Sequence, residues 1–317
     1  MTTPRSSILI PSFGRPDALR KCLTALARQT TPANQIIVAW QADDHPTCDA
    51  ALGTRNVTLV HSPTRGVVPA ENAALEVANG EVVLLIDDDA IAPSDWVQRH
   101  LKHYEDPTVG AVGGPATNFH PDGTKFPIRG AEPIGTLSWT GRTRGNMHDH
   151  PPEWRARAPI EVDHLVGYNM SLRRSAFDRF EENLRPYWQM FELEACLQAK
   201  SRGFRVLFDF ANVVEHHPTN PAYVAGRGGN LDIKIYNAAY NHSYILAKHR
   251  RCAIQGLAQR ICSLGIGTLN SPGVLASMVG SVRYGHPARE FSILSNTWKS
   301  RRAADRDAKR NRRRESK

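Results

Sequence analysis

The sequence predicts an α/β fold with a mainly parallel central sheet flanked by helices and a helical C-terminal region. Three observations carry this. Short apolar runs alternate with amphipathic stretches through the first third of the chain, as βα units do. One run, over 82–86, is apolar without a break and bounded by charge, as suits a strand covered on both faces. Beyond Pro218 the apolar residues recur at helical spacing.

A first strand is expected over 7–11. Residues 17–29 then place Leu19, Leu23, Leu26 and Ala27 on one helical face, with Pro16 and Asp17 at its start. Strands over 35–40 and 57–61 follow. A helix over 67–78 opens at Pro69 and leads into the strand over 82–86, a helix over 94–104 and a strand over 109–113. From 115 to 159 the pattern dissolves into Gly, Pro, Trp, His and Arg, too long a stretch for an ordinary connection, and such segments are usually functional. A second ordered block has a strand over 164–168, a short helix over 175–180, a longer one over 191–202 and a strand over 206–208.

In the last part, Tyr236, Tyr240 and Tyr244 recur at i, i+4 and i+8, a pattern that reads as packing. Residues 261–282 carry no charge, yet their Ser, Thr, Asn, Pro and Gly content makes a poor membrane span. They read as helices on the body or in an interface. The expected domains are 1–220, divided into halves at 114/115, then a helical extension over 221–298 and a basic, disordered tail over 299–317.

The 317 residues carry a net charge of +9, unevenly placed. Residues 299–317 hold ten Lys or Arg against three acids, a net of +7, so the rest of the chain is close to neutral. Such a tail suits a solvated end or attraction to an anionic membrane surface. No aromatic interleaving supports a specific nucleic-acid partner. Five scattered cysteines without a CxxC pair, and no apolar leader before the first strand, suggest neither a disulfide framework nor a secretory signal. The expected setting is cytoplasmic, peripheral at the inner face of a membrane where the tail engages lipid.

The strongest chemical feature is Asp87-Asp88-Asp89, directly after the apolar run. Three adjacent carboxylates at the end of a buried strand repel one another and call for a cation. Carboxylate oxygens select hard divalent ions such as magnesium or manganese, which keep positions open for phosphates. The strand end is also where open α/β sheets place ligands.

The surroundings share a pattern. Ile8 to Pro11 lead into Ser12, Phe13, Gly14, Arg15 and Pro16; Asp43 and Asp44 follow the second strand, and Arg65, Gly66 and Asn72 follow the third. With the acidic triplet, this order resembles glycosyltransferase family 2, of GT-A fold, over roughly residues 7–220. The resemblance implies an inverting enzyme that uses a nucleotide sugar, most often UDP-linked, and a divalent metal, manganese or magnesium.

On this chain, the resemblance places Pro11, Ser12 and Phe13 in the nucleotide pocket. Asp43 would lie on the base, Arg65 near base or diphosphate, and Asp87 and Asp88 beside the donor. Asp89 would be the main metal ligand, with Asp87 and His216, His217 being the alternative to the last. The family's acidic pair corresponds to Phe191-Glu192, eleven residues ahead of Gly203-Phe204, which makes Glu192 the catalytic base. Gly167, Tyr168, Asn169 and Glu194 would face the acceptor, a glycan or lipid-linked glycan. Trp139, Trp154 and Trp188 are candidates for stacking on a sugar ring. Two rival readings stand beside this one. Phe191 in the acidic pair suggests a non-catalytic scaffold on the same fold, and the fold itself also serves sugar-phosphate nucleotidyltransferases.

Overall fold

A computed structural model describes residues 3–54, 56–128, 130–186, 190–218, 231–268, 271–284 and 286–315. The expected domain boundary at 220/221 and Trp188 lie outside the described residues. The chain divides into two compact units, one of residues 1–136, 144–181 and 192–223, the other of 137–143, 182–191 and 224–317.

The first unit is built on β1 (Ser6–Ser12), β2 (Gln35–Gln41), β3 (Val57–Ser62) and β4 (Val82–Leu85), with α1 (Pro16–Leu26), α2 (His45–Ala51) and α3 (Val67–Val77) between them. The short β5 (Ala90–Ile91), α4 (Trp96–His103), β6 (Val109–Gly113) and β7 (Ala116–Asn118) follow. Beyond the short β8 (Thr136–Leu137) and β9 (Thr143–Arg144) come β10 (Ile160–Glu161), β11 (Met170–Arg173), α5 (Phe191–Ser201), β12 (Arg205–Phe208) and β13 (Val214–His216).

The main sheet has the order β10-β12-β6-β11-β4-β1-β2-β3. β3, β2, β1 and β4 run parallel, whereas β11 is antiparallel to both β4 and β6. Every residue of β1 is buried, which accounts for the unbroken apolar run that opens the chain. On one face of the sheet, Ile8, Ile10, Val38 and Leu84 pack with Leu19, Leu23 and Leu26 of α1 and with Trp96 and Leu101 of α4. A small second sheet, β5-β13-β7, pairs His216 with Ala90, next in the chain to the acidic triplet.

Two local expectations are corrected, and one helix was not foreseen. The strand expected over 164–168 begins only at Met170, after a 3₁₀ turn over Gly167–Asn169. That turn is set by the Asn169 amide, which donates to the carbonyls of Pro115 and Asn212 and so holds the chain off the strand path. The helix expected over 175–180 is a single 3₁₀ turn, Arg174–Ala176, followed by the buried pair Phe177 and Phe180. The unforeseen α2 has a readable start in Asp44, whose carboxylate accepts from the Thr47 amide, with Pro46 in the first turn.

The second unit contains α6 (Leu231–His249), α7 (Ala253–Gly265), the hairpin of β14 (Gly267–Thr268) and β15 (Ser271–Pro272), α8 (Val274–Tyr284) and α9 (Pro287–Glu315). The disordered tail expected over 299–317 is therefore corrected as far as residue 315, because that stretch continues α9. Ser300, Ala304 and Ala308 recur every fourth residue and are buried, small enough for α9 to lie close along α6. The tyrosine stripe of α6 meets this face. The Tyr240 hydroxyl donates to Asp307 Oδ2 at 2.8 Å, and Asn311 Nδ2 donates to the Tyr244 hydroxyl at 3.0 Å. Among the described residues, no helix is long and apolar enough to cross a membrane.

Candidate active site

The ends of β1, β2 and β4 bring the first candidates together. Gly14, at φ +70°, turns the chain from β1 into α1, a backbone state that suits glycine. Its amide donates to the Asp44 carboxylate. The turn directs the Arg15 side chain onto the acidic triplet. Arg15 Nη2 lies 2.6 Å from Asp88 Oδ1 and Nη1 lies 2.5 Å from Asp89 Oδ2, while the Ser12 hydroxyl donates to Asp88 Oδ2.

Asp88 is fully buried, where it accepts from Ser12 and pairs with Arg15. Burial pushes its carboxyl up, to about 7, against the opposing pull of the Arg15 guanidinium. Arg15 is the cation that faces Asp88 and Asp89, and the three adjacent carboxyls outnumber it. Arg15→Met is expected to lower stability by roughly 3–5 kcal/mol, by stranding Asp88 without its cation. Thermal melting checks this, and added Mn²⁺ should recover part of the loss by binding the folded state.

Asp87, Asp89 and His216 each offer one ligand atom, all within 4.8 Å of one another. His216 arrives by strand register. Its Nε2 lies 3.3 Å from Asp89 Oδ1 and 3.8 Å from Asp87 Oδ2, and its Nδ1 lies 2.8 Å from Asn118 Oδ1. An amide oxygen only accepts, so Nδ1 donates to Asn118, and this contact turns Nε2 toward the two carboxylates. Gly114 enables the approach, because a Cβ there would lie 2.0 Å from the Asn212 carbonyl oxygen, just ahead of β13. Two carboxylates and an oriented imidazole fit a divalent cation such as manganese. His217, the alternative, stacks on Phe119 and leans on Glu215.

Glu192 lies in the first turn of α5 and accepts from the Gly167 amide at 3.1 Å. Burial raises its carboxyl to about 7, with Asp87 adding to the rise. Glu194 points elsewhere. Two residues along a helix is more than half a turn, and its fully buried carboxylate accepts from Gln198 at 2.7 Å. Asn169 is likewise fully buried, and its Oδ1 accepts from Trp96 Nε1 at 2.9 Å. Tyr168 is half-buried and stacks on His216 with centroids 4.8 Å apart.

Phe13 and Arg65 meet in a cation–π contact, the guanidinium carbon 3.9 Å from the ring centroid. Asp43 is exposed beyond the end of β2. Pro11 is buried within β1, one residue ahead of Ser12. Trp154 stacks on His150 beside Arg157 and Phe210, a packing role, whereas Trp139 is exposed. Asn72 is tied to the Phe180 backbone in both directions.

Sequence reasoning missed Glu71 and Asn118, and it read Arg15 only as part of the strand-end motif. Glu71 is buried in α3, and burial holds its carboxyl well above the usual range, helped by Asp87 and Glu192. Its signal was present: with Val68, Asn72 and Leu75 it forms the inward stripe of α3, an odd place for an acid.

Residues 7–180 match the model of the family described as Glycosyl transferase family 2. The chain belongs to that family. Among curated proteins, this family 2 chain is 24% identical over 129 residues to Glycosyltransferase AglE of Haloferax volcanii, covering 38% of this chain and 42% of that protein. It is 29% identical over 231 residues to the O-antigen biosynthesis protein RfbC of Myxococcus xanthus, covering 68% and 17%. It spans less than half the length of these relatives. In fold it is similar to mannosyltransferase PcManGT from Pyrobaculum calidifontis, in complex with GDP-Man and Mn²⁺. That match has a TM-score of 0.60 and 15% identity, over 96% of this chain and 88% of the other. The expected GT-A architecture is present.

Proposed function

We propose that the protein transfers a sugar from a nucleotide sugar, UDP-linked, to a hydroxyl of a glycan or lipid-linked glycan, with inversion at the anomeric carbon. One observation carries the reading: a three-residue cation site and a raised carboxyl converge from segments more than a hundred residues apart. Each part then has a task. Asp43 accepts from the base. Arg65, held against Phe13, faces the diphosphate. Asp87, Asp89 and His216 hold a divalent cation, which would offset the charge that develops on the departing nucleoside diphosphate.

Glu192 takes the proton from the acceptor hydroxyl as that oxygen bonds to the anomeric carbon. The bond from that carbon to the diphosphate oxygen breaks, and its electron pair leaves with the diphosphate. The Gly167 amide holds one Glu192 oxygen and orients the carboxylate for this step. A single base and attack opposite the leaving group give one displacement, hence inversion.

The test is nucleoside diphosphate release from a panel of UDP- and GDP-sugars, with and without manganese. Release that requires both one donor class and the metal supports the reading. A scaffold would release none while still binding nucleotide. Phe191, which prompted that alternative, is buried, so its place in the acidic pair is consistent with packing rather than decay.

A further inference from the structure

Helices α7 and α8 of the second unit are inside out. On α7 the buried residues are Gly256, Gln259 and Ser263, whereas Ile254, Leu257 and Ile261 are exposed, Ile254 to 72%. On α8 the buried positions are Ser277 and Gly280, whereas Leu275, Met278, Val279 and Val282 are exposed, Val282 to 89%. Both exposed sets recur at helical spacing, so each is a stripe. A water-facing helix shows the reverse arrangement, with its apolar stripe turned to the core.

The charge around these stripes has one sign. Neither helix contains an acid, and their only charges are Arg260 and Arg283. Residues 250–317 hold 15 Lys or Arg against 4 Asp or Glu, a net of +11, more than the +9 of the whole chain. A groove of about 660 Å³ between α6, α7 and α9 is bordered by Arg250, Arg260, Lys299, Arg302, Arg306 and Lys309. Asp305 is the one acid among its described lining residues, and Arg260 pairs with it at 2.5 Å.

We propose that α7 and α8 lie in the surface of an anionic bilayer, their apolar stripes at the upper acyl chains and the basic groove on lipid phosphates. Apolar stripe and cationic border together are what such a surface selects, by hydrophobic burial and by attraction to anionic headgroups. A second copy of the chain would set +11 against +11. The proposal moves the expected lipid contact from charge alone on a loose tail to a folded, partly apolar element. It stands on the second unit and does not depend on the donor chemistry.

The test is flotation of the full chain with vesicles of phosphatidylcholine alone or mixed with phosphatidylglycerol. The protein is expected to float with the mixed vesicles only. The paired substitutions Val279→Asp/Val282→Asp and Ile254→Asp/Leu257→Asp should each cut the bound fraction about tenfold or more, since each removes two apolar groups from the interface. Leu52→Asp, at an exposed apolar position in the first unit, should leave it unchanged. Melting curves establish that each variant folds. Three results would overturn the proposal: no flotation of the wild type, equal flotation of both paired variants at low salt, or a wild-type dimer that those substitutions turn into monomers.

Discussion

Glu192→Gln is expected to lower kcat by about a thousandfold, within the range for removing a general base, while leaving the Kd for the nucleotide nearly unchanged. The substitution keeps the shape and the oxygen that accepts from the Gly167 amide, and it removes only the ability to take a proton. The wild-type pH profile checks the same role from the other side. With the carboxyl at about 7, kcat/KM should fall about tenfold per unit as pH drops below that value and level off above it. Bound cation beside Asp87 cancels the repulsion that helps raise Glu192, so the inflection measured with manganese should lie somewhat below that value.

The same carboxyl also bears on stability. Its folded pKa lies above the unfolded 4.5, so from there to about 7 the folded state holds the extra proton and stability declines as pH rises. Glu192→Gln removes this penalty. Above pH 7 the variant should gain on the order of 3 kcal/mol, and near pH 4 it should gain nothing. Lost turnover with gained stability separates a working base from an acid that merely packs, and paired kinetic and melting measurements read both.

Asp89→Ala is expected to abolish metal-dependent nucleotide binding. Asp89 faces both His216 and Arg15, so its loss opens the cation site and releases the guanidinium on one side. Asn118→Ala should act more gently. Asn118 touches the site through His216 Nδ1, and loss of such an orienting partner lowers metal affinity by roughly tenfold to a hundredfold. Manganese titrations of the three proteins should therefore rank wild type, Asn118→Ala and Asp89→Ala in that order.

Much of the fold was legible because its signals are local. The parallel strands around β1 are apolar runs bounded by turn residues, and the strand over 109–113 has the observed bounds. Where tertiary contact decides the backbone, local signals failed. Asn169 looked like a polar residue free to meet a sugar, yet its amide spans two carbonyls brought there from distant segments. Asp88 and Asp89 are buried neighbours that share Arg15 yet differ in their other partners, because Ser12 holds one while β13 carries His216 to the other. The tail misled for the opposite reason. Its charge density hides Ser300, Ala304 and Ala308, a stripe of small residues that gains meaning only when α6 lies against it.

The site follows the same division. Asp87, Asp89, His216 and Glu192 were readable as residue types at family spacing, and the fold brings Asp87, Asp89 and His216 within 4.8 Å of one another. What orients them was not readable. Gly167 supplies a backbone amide, which any residue carries, and Asn118 acts through register between β7 and β13.

The most direct test of the central claim is calorimetric titration of the folded wild-type protein with UDP and with GDP, each with and without manganese. The account predicts that one nucleotide, UDP, binds with manganese and loses that binding when the metal is chelated. Equal binding with and without metal, or none of either nucleotide, would contradict it.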